Sequence, residues 1–93
     1  MSKYSVEYSK KAQKILRNLD NQISNRITDW IENNLIGCEN PRFQGKPLTG
    51  NLSGNWRYRV GDYRIIAKIE DDKILITVVD IGHRRKIYDI EKI

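Results

Sequence analysis

The sequence predicts an α+β fold in the order β-α-α-β-β-β. A helical hairpin packs on one face of a mostly antiparallel four-stranded sheet, and a short C-terminal helix or tail follows. Three observations carry this reading. Two stretches in the first third place apolar residues at helical spacing, and three stretches in the second half alternate with period two. The links between those three are short enough for hairpins, which groups helices and strands into separate layers.

Each element has its own signal. Residues 3–8 (KYSVEY) alternate briefly and suit an edge strand. Ser9 then offers a hydroxyl to the unpaired amides of a first helical turn. In KKAQKILRNLD, Ala12, Ile15, Leu16 and Leu19 share one face. Asp20 provides a second N-cap and opens NQISNRITDWIENNL, where Ile23, Ile27, Trp30 and Ile31 form the stripe. A DNA-reading helix-turn-helix wants a basic second helix crossing the first at about 90–120°. Here the second helix sets only Arg26 against Asp29 and Glu32. Residues 36–54 hold both prolines and four of the six glycines, which predicts a loop. Strands follow over roughly 55–60, 63–70 and 73–81, linked by Gly61-Asp62 and Asp71-Asp72. Glycine in first place suits a type II′ turn. The tail covers roughly 86–92.

Ninety-three residues make a single domain spanning 1–93. No apolar run approaches the roughly 20 residues of a membrane span, and the N-terminus lacks the apolar core of a signal peptide. A cytoplasmic location and no membrane partner are expected. One cysteine, Cys38, forms no intramolecular disulfide or Cys-based metal cluster, and one histidine, His83, argues against a His-ligated zinc. No metal and no cofactor are expected. The formal charge of +5 favours an anionic partner, nucleic acid first.

The stretch WRYRVGDYR (Trp56–Arg64) sharpens that charge into a site. If Val60 pairs with Tyr63 across the turn, Arg59 faces Arg64 and Arg57 faces Ile66. Alternation then sends Trp56, Tyr58, Val60, Tyr63, Ile65, Ala67 and Ile69 to one face, and Arg57, Arg59, Arg64 and Lys68 to the other. The first set belongs under the helices. Like charges directly opposite each other destabilise a hairpin by a few tenths to ~1 kcal/mol. An anion supplies the missing counter-charge, and arginine's planar fork matches phosphate oxygens. If Asp71-Asp72 is the second turn, Ile69 meets Ile74, Glu70 meets Lys73 and Arg64 meets Val79. The segment GHRRKIYD then leaves the sheet near Gly61-Asp62, bringing His83, Arg84, Arg85, Lys86 and Tyr88 to the arginines. Basic residues on an open sheet also solubilise it and discourage edge pairing, which is the plain structural reading of the same pattern.

Such a cluster suits acid–base chemistry beside a phosphate. RNA cleavage by the 2′-hydroxyl needs a base for that hydroxyl, cations for the phosphorane and an acid for the leaving 5′-oxygen. Tyr88, the arginines and His83 are candidates for those roles.

The segments KPLTGNLSGNWRYRVGDYRIIAKI and ITVVDIGHRRKIYD together resemble the RelE/ParE superfamily of bacterial toxins, and more closely its RelE branch. The resemblance implies a toxin of a type II toxin–antitoxin pair. It further implies entry into the ribosomal A site, mRNA cleavage to a 2′,3′-cyclic phosphate, and neutralisation by a cognate antitoxin, with a higher-order toxin–antitoxin complex as a further partner state. By position, Arg57 and Arg59 match phosphate contacts and Arg64 matches the arginine that stabilises the transition state. Arg84 matches the proposed general acid, and Tyr88 the tyrosine that orients or activates the 2′-hydroxyl. Lys68, Arg85 and Lys86 add RNA-binding charge. His83 is a second candidate acid, histidine being the side chain that titrates nearest neutrality. Three other readings share these residues: a ParE-like inhibitor of DNA gyrase, a plain RNA-binding module, and a degenerate toxin that no longer cuts.

Overall fold

A computed structural model describes residues 3–86. The elements are β1 (Ser5–Tyr8), α1 (Lys10–Asn18), α2 (Asn21–Asn34), β2 (Lys46–Pro47), β3 (Asn55–Val60), β4 (Tyr63–Glu70) and β5 (Leu75–His83). Both helix starts form as the caps predict. The Ser9 hydroxyl accepts from the Ala12 amide at 3.0 Å, and an Asp20 carboxylate oxygen accepts from the Gln22 amide at 3.0 Å. Each satisfies an amide that a first helical turn leaves without a partner. Of the expected tail over 86–92, all but residue 86 lies outside the described residues; residues 84–86 are helical.

The sheet has the order β1-β5-β4-β3-β2. It is mixed and five-stranded, where the sequence suggests four strands. β1 lies at one edge, parallel to β5, and the other pairs are antiparallel. The fifth strand is β2, a two-residue edge strand inside the segment expected to be loop, with Lys46 opposite Arg57 and Pro47 opposite Trp56. Proline fits there, because an edge strand can spare its missing amide.

The helical hairpin covers one face. Ala12, Ile27 and Ile31 from the helices meet Tyr58, Ile65, Ala67, Ile76 and Val78 from the sheet, all of them 0–1% exposed. Trp30 packs partly buried against this core, its ring 5.7 Å from that of Tyr58. The Tyr58 hydroxyl donates to the Pro41 carbonyl, and burial pushes its phenol far above the usual range, so it stays a donor. The opposite face carries a smaller cluster. Leu48 and Leu52, the latter closing a 3₁₀ turn over Gly50–Leu52, cover Ile66 and Val79. The segment over 36–54 is therefore packed structure, and its Leu48–Leu52 part closes the middle of the outer face.

The first hairpin has the predicted register, with Val60 opposite Tyr63, Arg59 opposite Arg64 and Arg57 opposite Ile66. The second does not. Glu70 pairs with Leu75, Ile69 with Ile76 and Arg64 with Gly82, in place of Lys73, Ile74 and Val79. The turn takes in Asp71–Lys73 as a 3₁₀ turn, then Ile74 in the left-handed region at φ 51°. A β-branched residue is strained there; the Ile74 side chain packs against the main core, which offsets that strain. A bulge between Ile66 and Ala67 shifts the pairing by one more residue, leaving Val79 as the extra residue of β5.

Candidate nucleic-acid interface

The β3–β4 turn is built for close approach. Gly61 sits at φ +59°, where glycine is favoured. A Cβ at that position would also lie 3.2 Å from the Arg26 guanidinium, which reaches over from α2. Arg59 and Arg64 leave this turn as cross-strand partners on the outer face, Arg59 exposed and Arg64 half-buried. Arg64 is aimed: its Nη1 donates to the carbonyls of Gly61 and Tyr63, each at 3.1 Å. Such bonds fix one nitrogen of the fork and with it the plane of the guanidinium.

The bulge in β5 decides what stands beside Arg64. Opposite it comes Gly82, which has no side chain to fill the outer face. A slip of one residue would put Ile81 or His83 there. Immediately after, the chain turns back on the hairpin: the Arg84 amide donates to the Asp62 carbonyl at 2.7 Å, and Arg84 Nε lies 4.0 Å from Asp62 Oδ1. Arg84 is thereby held at the turn that carries Arg64. Exposed Arg85 and Lys86 continue from it. Asp62 carries the turn's own negative charge against Arg26, Arg59, Arg64 and Arg84. A cationic end of this kind can hold an anion, and its arginines suit phosphate oxygens.

The structure divides the residues that the sequence singled out. Arg59, Arg64 and Arg84 come together. Arg57 sits half-buried two residues along β3, opposite Ile66. Lys68 is separated from them: it lies opposite Asn55 at the other end of the hairpin, with Nζ 4.0 Å from Glu70 Oε1, and the Leu48–Ile66 cluster intervenes. His83 faces the other way. It pairs with Tyr63, meets that ring edge-on at 5.6 Å, and lines a groove of about 410 Å³ with Lys11, Ile15 and Leu19 of the helical layer. Tyr88 lies outside the described residues. Two cations were not singled out by sequence reasoning. Lys46 stands opposite Arg57, and Arg26 crosses from α2 to the turn. For Lys46 the signal was its place three residues after Phe43 in a basic loop; for Arg26 no local signal exists, because only tertiary packing brings α2 to Gly61.

A two-helix layer on a mixed sheet, with arginines gathered at one hairpin end, defines a RelE-like toxin fold, and comparison with known proteins agrees. A family model described as "ParE toxin of type II toxin-antitoxin system, parDE" matches residues 6–88, and the chain belongs to this family of toxins. Toxin RelG of Mycobacterium tuberculosis is 28% identical over 85 residues, covering 91% of this chain and 95% of the relative. Toxin RelE of the same organism is 29% identical over 85 residues, covering 91% and 86%. Among solved structures, the toxin–antitoxin complex RelBE2 of M. tuberculosis superposes with a TM-score of 0.77 at 27% identity, covering 90% of this chain and 94% of the matched one. The isolated E. coli RelE toxin reaches 0.69 at 21% identity over 94% and 93%, a likeness of fold. No helix among the described residues is long and apolar enough to cross a membrane.

Proposed function

We propose that this toxin is a ribosome-dependent endoribonuclease of the RelE type, which cuts mRNA by attack of a 2′-hydroxyl on the adjacent phosphate. The observation that carries the reading is Arg64, tied to the Gly61 and Tyr63 carbonyls opposite Gly82, with Arg59 and Arg84 adjoining. In the step, the 2′-oxygen bonds to phosphorus as the P–O5′ bond breaks, leaving a 2′,3′-cyclic phosphate. The 2′-hydroxyl proton passes to a base and the 5′-oxygen takes a proton from an acid. Arg64 stabilises the charge that builds on the phosphorane, and Arg57 and Arg59 hold phosphates before and during the step. Arg84 takes the acid's place in this reading, because His83 shares the helix-side face with Tyr63. Tyr88 serves the 2′-hydroxyl. The partner that restrains the toxin is a cognate antitoxin, as in the RelBE2 complex and the RelB–RelE complex of Methanococcus jannaschii. It is expected to place carboxylates on the cationic end, and its affinity there should fall with salt.

The test is cleavage of mRNA on programmed ribosomes by the purified toxin, with product ends identified and a gyrase supercoiling assay run beside it. The reading expects cyclic phosphate ends on the 5′ fragment and unaffected supercoiling. Intact mRNA with inhibited gyrase would replace it with the ParE-like reading.

A further inference from the structure

Arg26 reaches the cationic end from the helical layer. With Ile23, Ile27, Val60, Asp62 and Tyr63 it lines a cleft of about 200 Å³ between α2 and the β3–β4 turn. Its Cζ and Nη2 lie 3.2 Å, and its Nη1 3.4 Å, from where a Cβ on Gly61 would stand. Three nearly equal distances mean that the guanidinium lies flat over the glycine. An edge-on approach would leave the central carbon clearly farther away than one nitrogen. The N–H bonds of a guanidinium lie in its plane, so here they point sideways and not into the glycine.

Those donors have no taker within the fold. Arg26 is exposed, and among the described residues no hydrogen bond or ion pair engages it. Asp29 stands at the i, i+3 spacing that suits an ion pair along a helix, and none forms. Asp62 shares the cleft, yet its ion pair is with Arg84 Nε at 4.0 Å. The carbonyl of the same Gly61 accepts from Arg64 Nη1 at 3.1 Å. Guanidiniums from α2, from β4 and from the segment after β5 therefore meet at one tight turn. Covering Gly61 and the cleft needs only an apolar stem, and a further like charge there works against folding. Arg64 belongs to the outer face and Arg26 to the helical side. An anion confined to the outer face leaves Arg26 unanswered, whereas a polyanion carried over the turn meets both.

We infer that Arg26 is a further phosphate-binding residue of this site, holding a phosphate on the helical side of the β3–β4 turn, so that a bound RNA strand bends round the turn from Arg59 and Arg64. The inference rests on the reading of RNA as the ligand but not on its being cut, so binding alone tests it. The probe is a fluorescein-labelled oligouridylate of about eight nucleotides, within the span of known single-strand grooves, titrated by anisotropy over a range of salt. Arg26→Met keeps the apolar stem and removes the charge. It should weaken binding about 3- to 20-fold in low salt. It should also lower the slope of log affinity against log salt by roughly 0.7, the share of one single-strand phosphate contact. Arg26→Lys should keep the wild-type slope. A fixed loss of folded protein shifts affinity without changing that slope, so the slope stays readable in a less stable variant. Wild-type affinity and slope in Arg26→Met would overturn the proposal. So would weakened binding with an unchanged slope in Arg26→Met, shared by Arg26→Lys, which would make the flat guanidinium a support for the turn. An Arg26-dependent slope in a toxin that leaves mRNA on programmed ribosomes uncut would sustain the proposal while removing the nuclease reading.

Discussion

The two ends of the β3–β4 hairpin use the same side-chain chemistry to opposite effect. At the end where β4 leaves the sheet, charges are matched. Arg42 forks onto Asp71, Tyr4 donates its hydroxyl to the same carboxylate at 2.6 Å, and Lys73 lies 3.2 Å from Glu70. At the turn end, Asp62 lies 4.0 Å from Arg84, Arg26 reaches over to Gly61, and Arg59 and Arg64 are direct cross-strand partners. Paired charges clamp the 36–54 segment onto the sheet. Among the described residues the turn end has more cations than carboxylates, and a ligand can bring further negative charge there. The difference teaches that charge by itself does not distinguish a site from a clamp; the counter-charge does.

The matched end can be broken most severely by packing. Gly45→Ala places a Cβ against the buried Tyr58 ring and the Arg57 carbonyl, and overpacking of this kind costs about 1–3 kcal/mol, read as a lower urea midpoint. Gly45 does not have a positive φ, so the loss arises from crowding.

The electrostatic share of the clamp is tested by pH. The Arg42 guanidinium, and then the Tyr4 hydroxyl, hold the Asp71 carboxyl below its ordinary value of 3.8. A lowered folded value means that the stabilisation is complete above that ordinary value and is lost as pH falls through the lowered one. Wild type should therefore exceed Arg42→Ala in stability at neutral pH, and the gap should narrow well below pH 3.8. A constant gap in urea melts across that range would assign the effect of Arg42 to its contact with Trp56.

At the surplus end the sign reverses. Arg59→Gln removes one of two like charges directly opposite each other and should raise stability by a few tenths to ~1 kcal/mol. The gain should shrink in high salt, where the Debye length falls from about 10 Å at 0.1 M to about 3 Å at 1 M. Destabilisation by this change would show that Arg59 already has its counter-charge within the fold.

Legibility in the sequence follows the range of the forces involved. The first hairpin was readable because a two-residue turn and strict alternation fix its register, which placed Arg57, Arg59 and Arg64 on the outer face in advance. The caps at Ser9 and Asp20 were equally local. The second hairpin was misread because Ile74, a residue with no turn signature, takes the left-handed position, and because the bulge at Val79 is set by packing on both faces. That shift turned His83 to the helix side and set Gly82 beside Arg64. The Leu48–Ile66 cluster, which divides Lys68 from the other cations, and the Arg42–Asp71 clamp both join residues far apart in sequence, so no local pattern announces them.

The division between the two ends is tested most directly by one crossed comparison of Arg64→Ala and Arg42→Ala. The paired readouts are the single-turnover rate of mRNA cleavage at saturating programmed ribosomes and the urea midpoint. Loss of one preorganised electrostatic donor typically lowers a rate about 100- to 1,000-fold. Arg64→Ala should show that loss with ribosome binding and urea midpoint largely retained, while Arg42→Ala should lower the midpoint and leave the rate of the folded toxin within a small factor of wild type. Arg64→Ala cutting at the wild-type rate, or both variants losing rate and stability together, would contradict the account.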